Sequence, residues 1–230
     1  MLEYVSKLIC VDLTDSIITT YDNENFEYLL IASDEKYKQI CKDKIKHSVV
    51  TYIIDVFKYQ YFMNTIVGGS NDITVQAYIK ALTLYDVDTD VMLLNGDIEL
   101  GKCFFIDSYI TFRMLDTIRM WKEVCDLVMT NINYLSNEMM MDVIKNFISG
   151  FAVSSNILKI IFDDEGFELY RLDDGKNPVK LKDKALEEDI VNYTLLSNPQ
   201  RIEIYGDTVQ HLPLVNLLKN LYCEKVKIMG

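Results

Sequence analysis

No two cysteines in this sequence stand in C-x-x-C spacing. The five present, Cys10, Cys41, Cys103, Cys125 and Cys223, are odd in number and widely spread. That pattern supplies neither a zinc site nor a disulfide framework. The thiols read as small buried apolar side chains in a reducing compartment. Histidine is scarce too: His47 and His211 lie in different regions. G-x-S-x-G, a Walker A loop and G-x-G-x-x-G are all missing, so the usual marks of hydrolases, P-loop NTPases and dinucleotide binders are absent. The residues point to no conventional active site and no cofactor.

Long hydrophobic runs are lacking as well. The longest uncharged runs, Tyr59 to Asn71 among them, are too short and too polar to span a bilayer. Acids at positions 3 and 12 spoil any signal-peptide pattern in MLEYVSKLICVDLTD. The expectation is a cytoplasmic protein with no membrane insertion. Positive charge is in deficit, with 23 Lys and Arg against 35 Asp and Glu, a formal charge of −12. Such a balance disfavours nucleic acid as a partner, because phosphate affinity comes from clustered cations. The two candidate basic stretches, Lys36–Lys46 and Lys176–Lys184, are each interleaved with acids. Only four of the cations are arginines. The lysine excess, with abundant Ile, Asn and Tyr, fits an AT-rich genome.

The 230 residues, half of them apolar, are enough to bury a real core. Residues 17–21 and 26–32 flank DNEN and predict a hairpin. Apolar residues at helical spacing then predict a long helix from about 34 to 66, ended by Gly68–Gly69, and a second to about Tyr85. DVDTD at 86–90 reads as a loop, followed by a short helix or strand with a turn near Asn95–Gly96. Further on, Ile110, Met114, Ile118, Trp121, Cys125, Val128 and Ile132 step by three or four along one helical face. Another helix is predicted over 137–151.

After Ser154–Ser155 the pattern changes to strands at 157–162 and 167–172 and a short one at 179–181. A helix at 184–197, a strand at 201–205, a helix at 209–222 and a strand at 224–229 follow. The fold class is therefore α+β: a mostly helical N-terminal and central body with a small C-terminal α/β unit. The division expected is 1–104, 105–154 and 155–230.

Asp86, Asp88 and Asp90 have the first three ligand spacings of an EF-hand loop. Val91, Leu94 and Asp97 stand where that loop needs Gly, a polar ligand and a bidentate Glu. A solvated loop explains the three acids better than a metal site does. The aromatics Tyr52, Phe57, Tyr59, Tyr61 and Phe62 cannot all lie on one helical face, so some must be exposed or covered by another element.

FIDSYITFRMLDTIRMWKEVCDLV, residues 105–128, resembles the central segment of the YtxC-like family of sporulation proteins. In that family a Gly-aromatic pair and a Phe-Arg pair lead into a long helix. Here Tyr109, Phe112 and Arg113 take those places, with Ser108 where Gly is usual. The similarity continues through IKNFISGF, ILKIIFDDEGFELY, NYTLLSNPQRIEIYGD and VNLLKNLYCEKVKI, covering roughly 105–229. It implies a role in spore formation and assigns no catalytic residue. The function expected is that of a non-enzymatic interaction or accessory protein whose partner is another protein. Tyr109, Phe112 and Arg113 would form its contact, with Arg113 beside two aromatics at a helix start. The rivals are a metal-dependent enzyme using Asp86–Asp90 and a nucleic-acid accessory factor.

Overall fold

A computed structural model describes residues 16–22, 27–68, 72–131, 135–163, 166–173 and 177–229, with the side chain of residue 183 left aside. The fold is α+β, with helices preceding a C-terminal mixed sheet. Two compact units divide the chain. One holds 1–65 and 86–127, the other 66–85 and 128–230. Among the described residues no helix is long and apolar enough to cross a membrane.

The first unit opens with a hairpin of β1 (Ser16–Asp22) and β2 (Glu27–Ser33), paired antiparallel from Ser16↔Ser33 to Asp22↔Glu27. Part of the expected DNEN turn lies outside the described residues. A helical stretch over 38–67, here α1, follows without a break. Lys38–Tyr52 is α-helical, Ile53–Lys58 π-helical, Tyr59–Phe62 α-helical and Met63–Val67 π-helical.

The π turns have a clear consequence. Ile54, Lys58, Phe62 and Ile66 are four apart and all buried. In a pure α-helix such a row drifts about 40° per step, so its ends would diverge by roughly 120°. Turns closed by i→i+5 bonds hold more residues, and they keep the row on one side. Lys58 is thereby carried inward with its apolar neighbours.

Residues 86–97 correct the sequence reading. Val87–Asp97 is a helix, α3, and Asn95–Gly96 lies inside it rather than in a turn. Val87, Val91, Leu94 and Ile98 recur at helical spacing, and Leu94 and Ile98 are buried. Asp88 and Asp90 sit in the first turn, where the helix dipole favours acids. The helix preceding it in sequence, α2 (Ile73–Tyr85), belongs to the second unit. It starts where the Asp72 carboxylate accepts from the N–H groups of Thr74 and Val75.

The long helix expected around Trp121 is two helices. These are α4 (Ile106–Phe112) and α5 (Leu115–Asn131). The Tyr109 carbonyl accepts from both Arg113 N–H (2.8 Å) and Met114 N–H (3.3 Å), which closes α4. Met114 turns inward with 1% exposure, and Met114 O starts the next helix by accepting from Ile118. The buried face was read correctly at Ile110, Met114, Trp121, Cys125 and Val128; Ile118 is half-buried, and Ile132 lies outside the described residues.

In the second unit, α6 (Asn137–Ser149) is capped by Ser136, whose hydroxyl accepts from Met139 N–H. Then come β3 (Ser154–Asp163), β4 (Gly166–Leu172), β5 (Val179–Ala185), α7 (Glu187–Ser197), β6 (Pro199–Tyr205), α8 (Leu212–Tyr222) and β7 (Val226–Met229). Strand order is β5-β4-β3-β6-β7. The pairs β3–β4 and β4–β5 are antiparallel; β3–β6 and β6–β7 are parallel. Both parallel crossovers step the same way across the sheet, so their right-handedness puts α7 and α8 on one face. Leu158, Ile160, Phe162, Leu169, Ile202 and Ile204 are the buried side. Behind them α2 packs against α6, α7 and α8. Helix α2 is buried on most of its sides, with Lys80 and Thr83 among its buried residues.

Two residues hold the sheet's corners. Asn198 is left-handed (φ 36°) and 3% exposed. Its Nδ2 donates to the carbonyls of Ile148 and Phe151, and its own carbonyl accepts from Ser154 N–H. One amide thus joins the ends of α6 and α7 to the start of β3. Gly206 has φ +92°, and a Cβ there would lie 2.4 Å from the Phe162 carbonyl oxygen. Backbone must move to admit it. Gly206→Ala is expected to destabilise the protein by about 1–3 kcal/mol or more. Urea unfolding measures this, and an unchanged midpoint would refute the close approach.

Candidate functional site

The most unusual chemistry sits inside the first unit. Lys58 Nζ donates to Asp90 Oδ2 at 2.5 Å, and both side chains are 3% exposed. Trp121, the chain's single tryptophan, donates its Nε1–H to Asp90 Oδ1 at 2.9 Å. The carboxylate therefore receives an ammonium on one oxygen and an indole on the other. The Lys58 ammonium also lies 5.5 Å from the Phe62 ring centroid and 5.7 Å from that of Trp121. Phe57 and Tyr61 each approach Trp121 at 6.2 Å. This places the aromatic run of α1. Tyr52 and Phe62 are buried, Phe57, Tyr59 and Tyr61 are half-buried, and none of the five is fully exposed.

A pair this enclosed is withdrawn from water. Its chemistry is positional. Two opposite charges leave water only together, and each is stranded if the other is removed. Helices α1, α3 and α5 are tied by one carboxylate. Lys46 adds a second tie, donating to the Asn95 carbonyl near the end of α3, where a cation suits the helix dipole. Cys125, on the same face of α5 as Trp121, is fully buried. Burial pushes its thiol up to about 11, with the Asp126 carboxylate adding to the rise. It stays protonated at neutral pH and is no nucleophile.

The sequence-predicted residues part company here. Tyr109 is 7% exposed and packs on Phe104 at 5.4 Å. Burial and then Asp97 raise its hydroxyl above the usual tyrosine range. It is part of the interior. Phe112 is 72% exposed, and Arg113 is exposed beside it. Arg113 closes α4 rather than opening a helix, so the expected helix start with three converging side chains is a helix end with two.

Asp86, Asp88 and Asp90 do not form a loop. Asp86 precedes α3, Asp88 is exposed, and Asp90 points inward to Lys58 and Trp121. Residues two apart on a helix face different ways, so Asp88 is turned from both neighbours. Among the described residues no group of three or more His, Cys, Asp or Glu is gathered to hold a metal ion. His47 is exposed; His211 contacts Glu187 at 3.2 Å and packs edge-on against Phe162 and Phe167.

Comparison with known proteins gave no match: no family model, no curated protein and no solved structure. The residues themselves therefore carry the functional argument.

Two outcomes are expected. Lys58→Met or Asp90→Leu alone should cost about 3–5 kcal/mol, and the double replacement should recover much of that. Additive losses in denaturant unfolding would refute the coupling. In the folded protein at pH 8, mapped alkylation should label the exposed Cys103 and Cys223 well before the buried Cys41 and Cys125. Equal rates at all four would contradict the burial described.

Proposed function

We propose that this chain is a non-enzymatic interaction protein that engages a protein partner through the step between α4 and α5. The observation that supports the reading is the pairing of an exposed phenylalanine with an exposed arginine on a fixed backbone. Phe112 is 72% exposed and Leu115 59%. Between them Arg113 N–H is bonded to the Tyr109 carbonyl, and Tyr109 itself is anchored in the interior. A large apolar ring held out in water is a good anchor for a partner. A guanidinium beside it suits a carboxylate or a backbone carbonyl through its paired N–H groups.

The similarity of residues 105–229 to the YtxC-like sporulation proteins suggests the setting, a cytoplasmic role during spore formation. A metal-dependent enzyme on Asp86–Asp90 draws no support from an α-helical segment whose third carboxylate is already bound by Lys58 and Trp121.

Phe112→Ala and Arg113→Ala should each leave the melting temperature within a few degrees of wild type, because neither side chain is buried. Each should abolish stoichiometric capture of a partner by the tagged protein from sporulating cells. Capture that survives both substitutions would overturn this contact surface. A large drop in melting temperature for Arg113→Ala would instead give the residue an internal role.

A further inference from the structure

The hairpin of β1 and β2 in the first unit has no buried residue in either strand. Directly paired residues of an antiparallel ladder share a face. One face carries Ser16, Ile18, Leu29 and Ile31, all half-buried, and Ser16 Oγ lies 3.4 Å from Cys41 Sγ of α1. The opposite face is built from three cross-strand pairs, Ile17 with Ala32, Thr19 with Leu30 and Tyr21 with Tyr28. Ile17 is 73% exposed, Tyr21 58% and Leu30 52%.

Two features set this face apart. It holds no charge, on a chain whose total is −12. Asp22 and Glu27, the only ionised side chains of the two strands, pair at their end and belong to the other face. The ribbon is also unguarded. The edge strand β5 carries Lys180, Lys182 and Lys184, charges that discourage another chain from pairing with it. Strands β1 and β2 contain no Lys, Arg or Pro, and their pairing runs without a bulge from Ser16↔Ser33 to Asp22↔Glu27. A two-stranded hairpin is marginal in water and depends on packing against something else.

The face is complementary to itself. A second copy turned about a twofold axis that crosses the strands at Thr19 and Leu30 opposes the residues in reverse order along each strand. Tyr28 then lies over Ala32 of the second copy and Tyr21 over its Ile17, a ring against a smaller side chain each time. Leu30 meets Leu30 on the axis. Thr19 meets Thr19, where one hydroxyl donates to the other. Asp22 and Glu27 of both copies stay on the outer faces. Covering both ribbons withdraws on the order of 1,000 Å² in total, the low end of specific interfaces. A lipid surface suits the face less well, because the strands offer no cation to anionic headgroups and end in two acids.

We propose that this face is the contact of a symmetric dimer, with a second copy of the chain as its occupant. The contact is small, so the dimer is reversible. Both copies carry −12 and repel at long range, so salt strengthens the association.

The test is sedimentation equilibrium of the full chain from about 5 to 500 µM. The mass is expected to rise from 26.7 kDa toward twice that value, and more steeply at 500 mM salt than at 50 mM. Leu30→Glu and Leu30→Lys each set like charges against each other on the axis and should weaken association about 100-fold or more. Mixing the two variants should restore it, because the facing charges are then opposite. Thermal melting checks that both fold, and Ile17→Lys, at a still more exposed position of the face, replaces them should either fail. A chain that stays monomeric at 500 µM in high salt would overturn the proposal, and retention of that monomer on neutral phosphatidylcholine vesicles would make a lipid surface the occupant. A dimer indifferent to both charges at Leu30, or no recovery when the two variants are mixed, would overturn it too.

Discussion

One buried carboxylate organises the first unit. Asp90 takes an ammonium from α1 and an indole N–H from α5, and all three groups are withdrawn from water. A charge in such surroundings is tolerated only while its partner is present. This makes the pair a constraint on arrangement more than a source of stability. An apolar contact in its place would tolerate a helix sliding by a turn. An ion pair whose carboxylate also serves Trp121 does not. The two π turns of α1 belong to the same constraint, since they keep Lys58 in line with Ile54, Phe62 and Ile66. Helical segments of this kind recur where a side chain must be held in a position that a regular helix would not give it.

The second unit is organised by backbone geometry. Asn198 gathers the end of α6, the end of α7 and the start of β3 through one side chain and one carbonyl. Gly206 lets the chain leave β6 against the Phe162 carbonyl. Between these corners the sheet divides its residues by alternation. One side holds Leu158, Ile160, Ile202 and Ile204 in the core. The other carries the tyrosine–glutamate pairs Tyr170–Glu168 and Tyr205–Glu203 under lysines. Tyr222, whose hydroxyl donates to the Thr194 carbonyl, links the two helices of the covered side, and its burial raises its pKa.

Much of this architecture was legible in the sequence, for local reasons. Strands β3 to β7 are bounded by Asp, Gly, Asn and Pro clusters, and turn chemistry depends on adjacent residues. The α1 span was read from apolar spacing alone, although that spacing did not reveal its π turns. Three features were not legible. Helix α3 hid behind DVDTD, because acids that mark a loop also suit a helix N-terminus. The break at Arg113 hid because no Gly or Pro marks it, and the apolar spacing continues from Ile110 through Met114 to Ile118. The Lys58–Asp90 pair joins residues 32 apart, which no local pattern reports. Its one trace is a lysine inside an aromatic run, FKYQYF. The contact trio of Tyr109, Phe112 and Arg113 was half legible. The residues are neighbours, yet helical geometry turns Tyr109 inward and leaves the other two outside.

The central claim is that Asp90 couples α1, α3 and α5. Native-state amide hydrogen exchange of wild type and Asp90→Asn tests it most directly, because exchange reports protection segment by segment. The account predicts that 53–67, α3 and the middle of α5 lose protection together in the variant, while β3, β6 and α8 keep theirs. A loss confined to α3, or none in any of the three helices, would contradict it.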